Sequence, residues 1–292
     1  MALRRLGAGA VIAIVTLGYL AAGCGGGGVG GREITVDGPV VVDRSFEQGD
    51  VFKYKLKVES VIGVMQTGFE KSITRQAEFR TTTTVGEVTD EEVNATLQFD
   101  YSVGAMATGD AMLQDESVSA LRGKQLKLKL DPDGRFRSAT GMANESAFES
   151  GAGEYAMVIS EVFPTLPDEP MAIGTTWTEP IDVPDPNRDF VGETTYTVVG
   201  YKEKYAIQCV EVEVASDFEF EGRASQGNDV WLMTGSGSGT GRMLISMEDG
   251  NVVYSTGDSS LELTAEGASV ASAAASGTVS MGVTSSSVIE LL

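Results

Sequence analysis

The chain has 292 residues, 42% hydrophobic and 22% charged, with 42 acidic against 21 basic side chains and no histidine. That composition is ample for a packed core, and it excludes histidine-based zinc sites and any catalytic triad that relies on an imidazole base. Two cysteines cannot form a disulfide scaffold, and 36 glycines with 7% aromatic residues suit a turn-rich chain better than a helical bundle.

The N-terminus reads as an address. Arg4 and Arg5 precede an apolar stretch from Leu6 to Leu20, too short to cross a bilayer comfortably, and Ala21-Ala22-Gly23 stand directly before Cys24. With these residues the segment resembles the lipobox of bacterial lipoproteins, although Ala21 occupies the position where that pattern prefers Leu. The resemblance implies a signal peptide over residues 1–23, cleavage before Cys24 and acylation of that cysteine, with the acyl chains as the link to the membrane. Gly25 rather than Asp after the cysteine implies the outer membrane if the source is diderm, and otherwise the outer face of the cell membrane. Cleavage removes Arg4 and Arg5 and takes the formal charge from −21 to −23. So anionic a surface repels phosphate backbones and headgroups, so nucleic acid is not an expected partner. Residues 24–45 read as a tether, and the run Gly25 to Gly31 is expected to be a flexible coil reaching roughly 15 Å.

From Val51 onward period-two alternation dominates, and residues 46–141 read as a first β unit. Phe52, Tyr54, Leu56 and Val58 alternate with Lys53, Lys55, Lys57 and Glu59. Val93, Ala95, Leu97, Phe99, Tyr101 and Val103 do the same, followed by Leu126, Leu128 and Leu130. Continuous apolar runs are missing, which favours antiparallel over parallel sheet. Asp133-Gly134 marks a hairpin turn and Thr89 to Glu92 another tip. Residues 142–173 supply a predicted helix and a Pro-rich connector. Phe148, Ala152, Tyr155, Ile159 and Val162 fall on one helical face, Ser146 and Glu149 offer a capping box, and Phe163-Pro164 stops the helix.

A second β unit is expected over 174–257, with Val210, Val212 and Val214 facing inward and Glu211, Glu213, Asp217, Glu219 and Glu221 forming a solvated face. Lys202 to Lys204 reads as a hairpin tip and Asp249-Gly250 as a turn. Asp133-Gly134 and Asp249-Gly250 are each followed by a Thr-Gly pair at a constant offset of 116 residues, and Thr84-Val85-Gly86 matches Val198-Val199-Gly200 at an offset of 114. Such an echo suggests an internal duplication. Residues 258–292 then supply closing strands or a flexible tail. The expected fold is therefore mainly β: antiparallel meanders in two related halves, forming a curved sheet, a sandwich or an open barrel, with one helix between them.

The segment from Phe163-Pro164 through Leu166-Pro167 and Pro170 to Gly174 and Trp177, with Gly49-Asp50 before Phe52, resembles a group of uncharacterised bacterial lipoproteins with two β-rich halves. The resemblance spans roughly Phe46 to Gly257 and implies architecture without a biochemical activity. Trp177 is expected to be structural.

Candidate sites are few. Cys209 lies in an apolar strand beside Glu211 and Glu213 and is expected to be inert. Asp182, Asp185, Asn187 and Asp189 offer oxygen donors that could take Ca²⁺, but Phe190 stands where an EF-hand-like loop needs Gly and Tyr196 where it needs a bidentate Glu, so no cofactor is the preferred expectation. Met65, Met106 and Met112, with Ile159 on the predicted helix, could rim an apolar cavity, because methionine adapts to irregular apolar guests. These features point to a non-enzymatic, membrane-anchored envelope protein that binds a partner protein or an apolar ligand. The alternatives are a scaffold without a small-molecule site and a carboxylate-dependent enzyme. No oligomeric state is specified by these residues.

Overall fold

The computed structural model describes residues 28–66, 69–108, 111–140, 162–181, 188–226, 229–269 and 277–292. They form one open antiparallel sheet of 13 strands and a single-turn helix. The strands are β1 (Arg32–Glu33), β2 (Val51–Gln66), β3 (Phe69–Val88), β4 (Val93–Thr108), β5 (Ala111–Gln114), β6 (Gln125–Leu130), β7 (Phe136–Thr140), β8 (Thr176–Pro180), β9 (Arg188–Lys204), β10 (Ile207–Gln226), β11 (Asp229–Ser246), β12 (Val252–Ser269) and β13 (Gly277–Leu291). The helix α1 (Glu116–Ser119) is capped by Asp115, whose side chain accepts from the backbone N–H of Ser117 and Val118.

The pairing order β1-β9-β10-β11-β12-β13-β2-β3-β4-β6-β7 gives a meander on each flank. The last strand, β13, lies between β12 and β2 and joins the two flanks. The sheet is thus neither a sandwich nor a closed barrel. β12 runs continuously through position 257, where the sequence suggested a boundary, and of the two expectations for the C-terminal residues the strand is found, with β13 at the centre of the sheet. The helix expected between the halves, Ile159 included, lies outside the described residues except for Val162, which is buried with Phe163.

Both Asp-Gly pairs sit at the same end of the sheet, between β6 and β7 and between β11 and β12, with Gly134 and Gly250 at positive φ. The β3–β4 turn shares this near end, where the Thr89 hydroxyl accepts from the Glu92 backbone N–H. The β9–β10 turn does too, but its tip is Tyr205-Ala206, both at positive φ, and Lys202 to Lys204 remain in β9. The far end is where β2 meets β3, β10 meets β11 and β12 meets β13.

One face of the sheet is core. Near the Asp-Gly end it carries two apolar clusters, one on each flank: Tyr54, Leu56, Phe79, Leu126, Leu128 and Leu130 among others, and Tyr196, Val198, Val210, Val212 and Ile245 among others. The alternation predicted for β4 breaks once. The register shifts between Arg80 and Thr81 against Tyr101 and Phe99, leaving Asp100 as an extra residue, so Tyr101 and Val103 turn outward while Ser102 and Gly104 take the buried positions. Gly104 belongs there because α1 sits directly upon it: a Cβ would lie 2.7 Å from Val118 Cβ and 2.9 Å from Asp115 Cβ. Gly104→Ala should therefore overpack this site and cost about 1–3 kcal/mol, measured as a lower urea midpoint with an unchanged slope.

Candidate functional site

At the far end the buried face is lined by Ile62, Val64, Ile73, Phe218, Phe220, Met233, Leu261, Leu263, Val279, Met281 and Val283, with Met106 and Ile181 packed against them. Apart from Ile181, every member comes from the sheet itself. Beyond Met233, β11 contributes no side-chain bulk to the core face until Met243, because its sequence Thr234-Gly-Ser-Gly-Ser-Gly-Thr-Gly241 puts Gly235, Gly237, Gly239 and Gly241 on the core face and Ser236, Ser238 and Thr240 on the solvent face. The register pairs Phe218 with Gly237 and Phe220 with Gly235. Each ring lies over its glycine, for a Cβ on Gly235 would stand 2.5 Å from the Phe220 ring. The glycines let two large rings lie against the backbone.

Midway along the strands the lining changes from apolar to small and polar. Successive registers place Ser216, Gly239, Ser259, Ser285, Ser60 and Arg75 side by side across β10, β11, β12, β13, β2 and β3. All are buried, and the hydroxyls of Ser60 and Ser285 are 2.9 Å apart. This belt separates the far-end cluster from the two near-end clusters. It ends at the Arg75 guanidinium, which is buried against Asp115. Burial opposes ionisation of Asp115, but the Ser117 hydroxyl and Arg75 outweigh it and hold the carboxyl below its ordinary value.

Of the residues expected to rim a cavity, Ile159 lies outside the described residues, and Met65, Met106 and Met112 are not brought together. Met106 reaches the far-end cluster, whereas Met65 faces solvent at 58% exposure and Met112, on β5, at 66%. Phase explains Met65: in β2 the even positions face the core, so its place in the alternation sends it outward. In the predicted oxygen-donor loop, Asp182, Asp185 and Asn187 lie outside the described residues, and Asp189 belongs to β9. Cys24 also lies outside them.

The acidic face of β10 holds one exception. Glu213, Asp217, Glu219 and Glu221 are exposed, but Glu211 is only 5% exposed, with its carboxylate 2.9 Å from Lys202 Nζ and 3.3 Å from Arg242. Trp177 stacks on Tyr196 at 5.1 Å with 10° between the rings and donates its N–H to the Thr165 carbonyl, so it ties β8 to the Pro-rich connector.

The glycine run is not wholly a free coil. Val29 is fully buried on the outer face of the sheet, packed with Cys209, Leu244 and Val253, and its carbonyl accepts from Lys204 Nζ. Gly31, at φ +93°, fits where a Cβ would stand 2.9 Å from the Glu203 carbonyl oxygen, and β1 pairs with β9 directly after it. A single valine among glycines carried no signal of this in the sequence, since the composition reads as a linker and only the tertiary fold supplies the socket.

No protein-family model and no curated protein matches this chain. Among solved structures, one of lipovitellin, described for its lipid–protein interactions, is similar at 12% identity and a TM-score of 0.50, over 85% of this chain and 25% of that one. This chain thus spans about a quarter of that protein's length, and the likeness is one of fold. An outer membrane channel from Pseudomonas putida aligns at 8% identity over 89% of this chain and 100% of that one, with a TM-score of 0.23. A DUF1329 family protein from Desulfovibrio piger aligns at 9% identity over 78% and 83%, with a TM-score of 0.14.

Cys209 gives the most direct chemical check. Burial, rather than the neighbouring carboxylates, pushes its thiol up from 9.0 to about 12. The native protein should resist thiol reagents at pH 8 and react only on unfolding. Because the folded-state value is the higher one, the stability linked to this group is present below pH 9 and is lost as the pH rises toward about 12; a urea midpoint that falls over that range is the expected outcome.

Proposed function

We propose that this chain is an envelope protein anchored through acylated Cys24 that holds an apolar ligand, of the acyl-chain class, against the far-end lining of its sheet, without catalysing a reaction. The observation that carries the reading is the construction of that lining. It is apolar, built from one sheet apart from Ile181, and floored on β11 by Gly235 and Gly237. Met106, Met233 and Met281 add side chains that adapt to an irregular guest. The fold likeness to lipovitellin, whose lipid–protein interactions have been described, supports the same reading. The acidic surface leaves the acyl chains at Cys24 as the link to the membrane, each buried CH₂ contributing roughly 0.8 kcal/mol.

The test combines two measurements on protein extracted gently from its own envelope. Mass spectrometry should show an N-terminal acyl mass at Cys24 and a co-purifying lipid. The Cys24→Ala chain, freed of the anchor, should bind cis-parinaric acid saturably, and phospholipid should displace it. Leu263→Gln should weaken that binding while thermal unfolding stays cooperative. A lipid-free protein without saturable binding would replace this reading with that of a scaffold.

A further inference from the structure

We infer that the near end of the sheet, marked by Tyr205 at the β9–β10 turn, is held against the surface of a phospholipid bilayer while the far end, with its apolar lining, points away from it. The inference rests on acylation of Cys24 as proposed above. It follows from where the chain leaves the fold. Val29 is fixed among Cys209, Leu244 and Val253, and Lys204 holds its carbonyl. Only four residues separate Cys24 from Val29, a reach over five Cα–Cα steps of at most ~18 Å even fully extended. The far end of β10, at Gln226, lies 17 residues beyond Cys209 along the strand, or ~56 Å. An anchor on so short a lead brings the near end to the membrane and leaves the far end out of reach unless the sheet lies flat.

Lying flat is opposed by charge. Val29 covers the outer face of β10, and along that same face stand Glu213, Asp217, Glu219 and Glu221. Laying the face down would press this row on anionic headgroups and strip its water. The near end is better suited to an interface. Tyr205 is 56% exposed there and Leu292 61%, and Lys204 Nζ lies 3.2 Å from the centroid of the Tyr254 ring. Aromatic and aliphatic groups beside a lysine fit the headgroup zone, so the corner at the β9–β10 turn makes the contact, while the β3–β4 and β11–β12 turns, which expose Asp90, Glu91, Glu248 and Asp249, stand clear of the headgroups.

The experiment uses acylated protein carrying Tyr205→Cys or Leu113→Cys, each labelled with a bimane maleimide and reconstituted into palmitoyl-oleoyl phosphatidylcholine and phosphatidylglycerol vesicles containing a headgroup-nitroxide lipid. The parent protein, whose remaining thiol is the buried Cys209, controls for stray label. Strong quenching of the label at 205 and none at 113 is expected. Acylated, vesicle-bound protein with equal quenching at both positions, or with the order reversed, overturns the orientation alone. Protein that lacks the acyl mass and stays in solution overturns the anchoring reading and the orientation with it.

Discussion

The fold turns on a buried positive charge at the Asp-Gly end. Arg44 precedes the first strand of its flank, and its guanidinium reaches across the molecule: Nε and Nη2 donate to the Gly250 carbonyl at 3.2 and 2.5 Å, and Nη1 donates to the Pro164 carbonyl at 2.7 Å and the Asp133 carbonyl at 3.4 Å. One side chain therefore joins the β6–β7 turn, the β11–β12 turn and the Pro-rich connector. A planar fork with five donors can do this, and a lysine cannot. Both turn glycines make room for it, since a Cβ on Gly134 would stand 2.7 Å from Arg44 Nη1 and one on Gly250 3.2 Å from Arg44 Cβ. Burial draws the guanidinium down to about 10, and Tyr54, Asp133 and Asp249 oppose the shift, so it remains charged at neutral pH.

Backbone pairing joins the flanks at the centre of the sheet through β13, but among the described residues it leaves the outer edges, β7 on one flank and β1 and β8 on the other, without a shared ladder, so something other than the ladder must bring those edges together. Arg44 does so at the turns, and nearby contacts extend the join: Arg135 pairs with Glu179 at 3.3 Å and Thr165 donates to the same carboxylate at 2.6 Å. Phe163 packs edge-to-face with Phe46 and Phe52 beside them. The Phe-Pro segment thus has a physical reason to precede Trp177 in the chain, because its ring, its carbonyl and the tryptophan stack secure one junction. The far end has no comparable pin among the described residues. Its lining is apolar and glycine-floored, which is the difference between the two ends that the proposed function uses.

Much of this was readable in the residues. Alternation located β2, β6 and β10, Asp133-Gly134 and Asp249-Gly250 marked two of the near-end turns, and the lack of continuous apolar runs favoured an antiparallel sheet. Most of the misses share a physical character: they depend on a partner outside the residue's own strand. The extra residue at Asp100 flips the phase of β4 and puts Gly104, rather than Val103, beneath α1. Glu211 looks like its solvated neighbours until Lys202 and Arg242 close over it. Val29 looks like linker until it meets Cys209 and Leu244. Arg44 offers no local pattern at all, because its ligands are carbonyl oxygens, which every residue has. Methionines at 65 and 112 were read by type when their phase and strand decided their exposure.

The central claim is that the Arg44 guanidinium holds the outer edges of the two flanks together at the near end. The most direct measurement is the distance by pulsed electron paramagnetic resonance between spin labels at Lys127→Cys on β6 and Thr178→Cys on β8, compared between the parent chain and Arg44→Met. A narrow distribution that broadens and shifts outward in the variant, with a loss of a few kcal/mol as hydrogen bonds from a charged group disappear, is the predicted result. An unchanged distribution in a variant of unchanged stability would contradict the account.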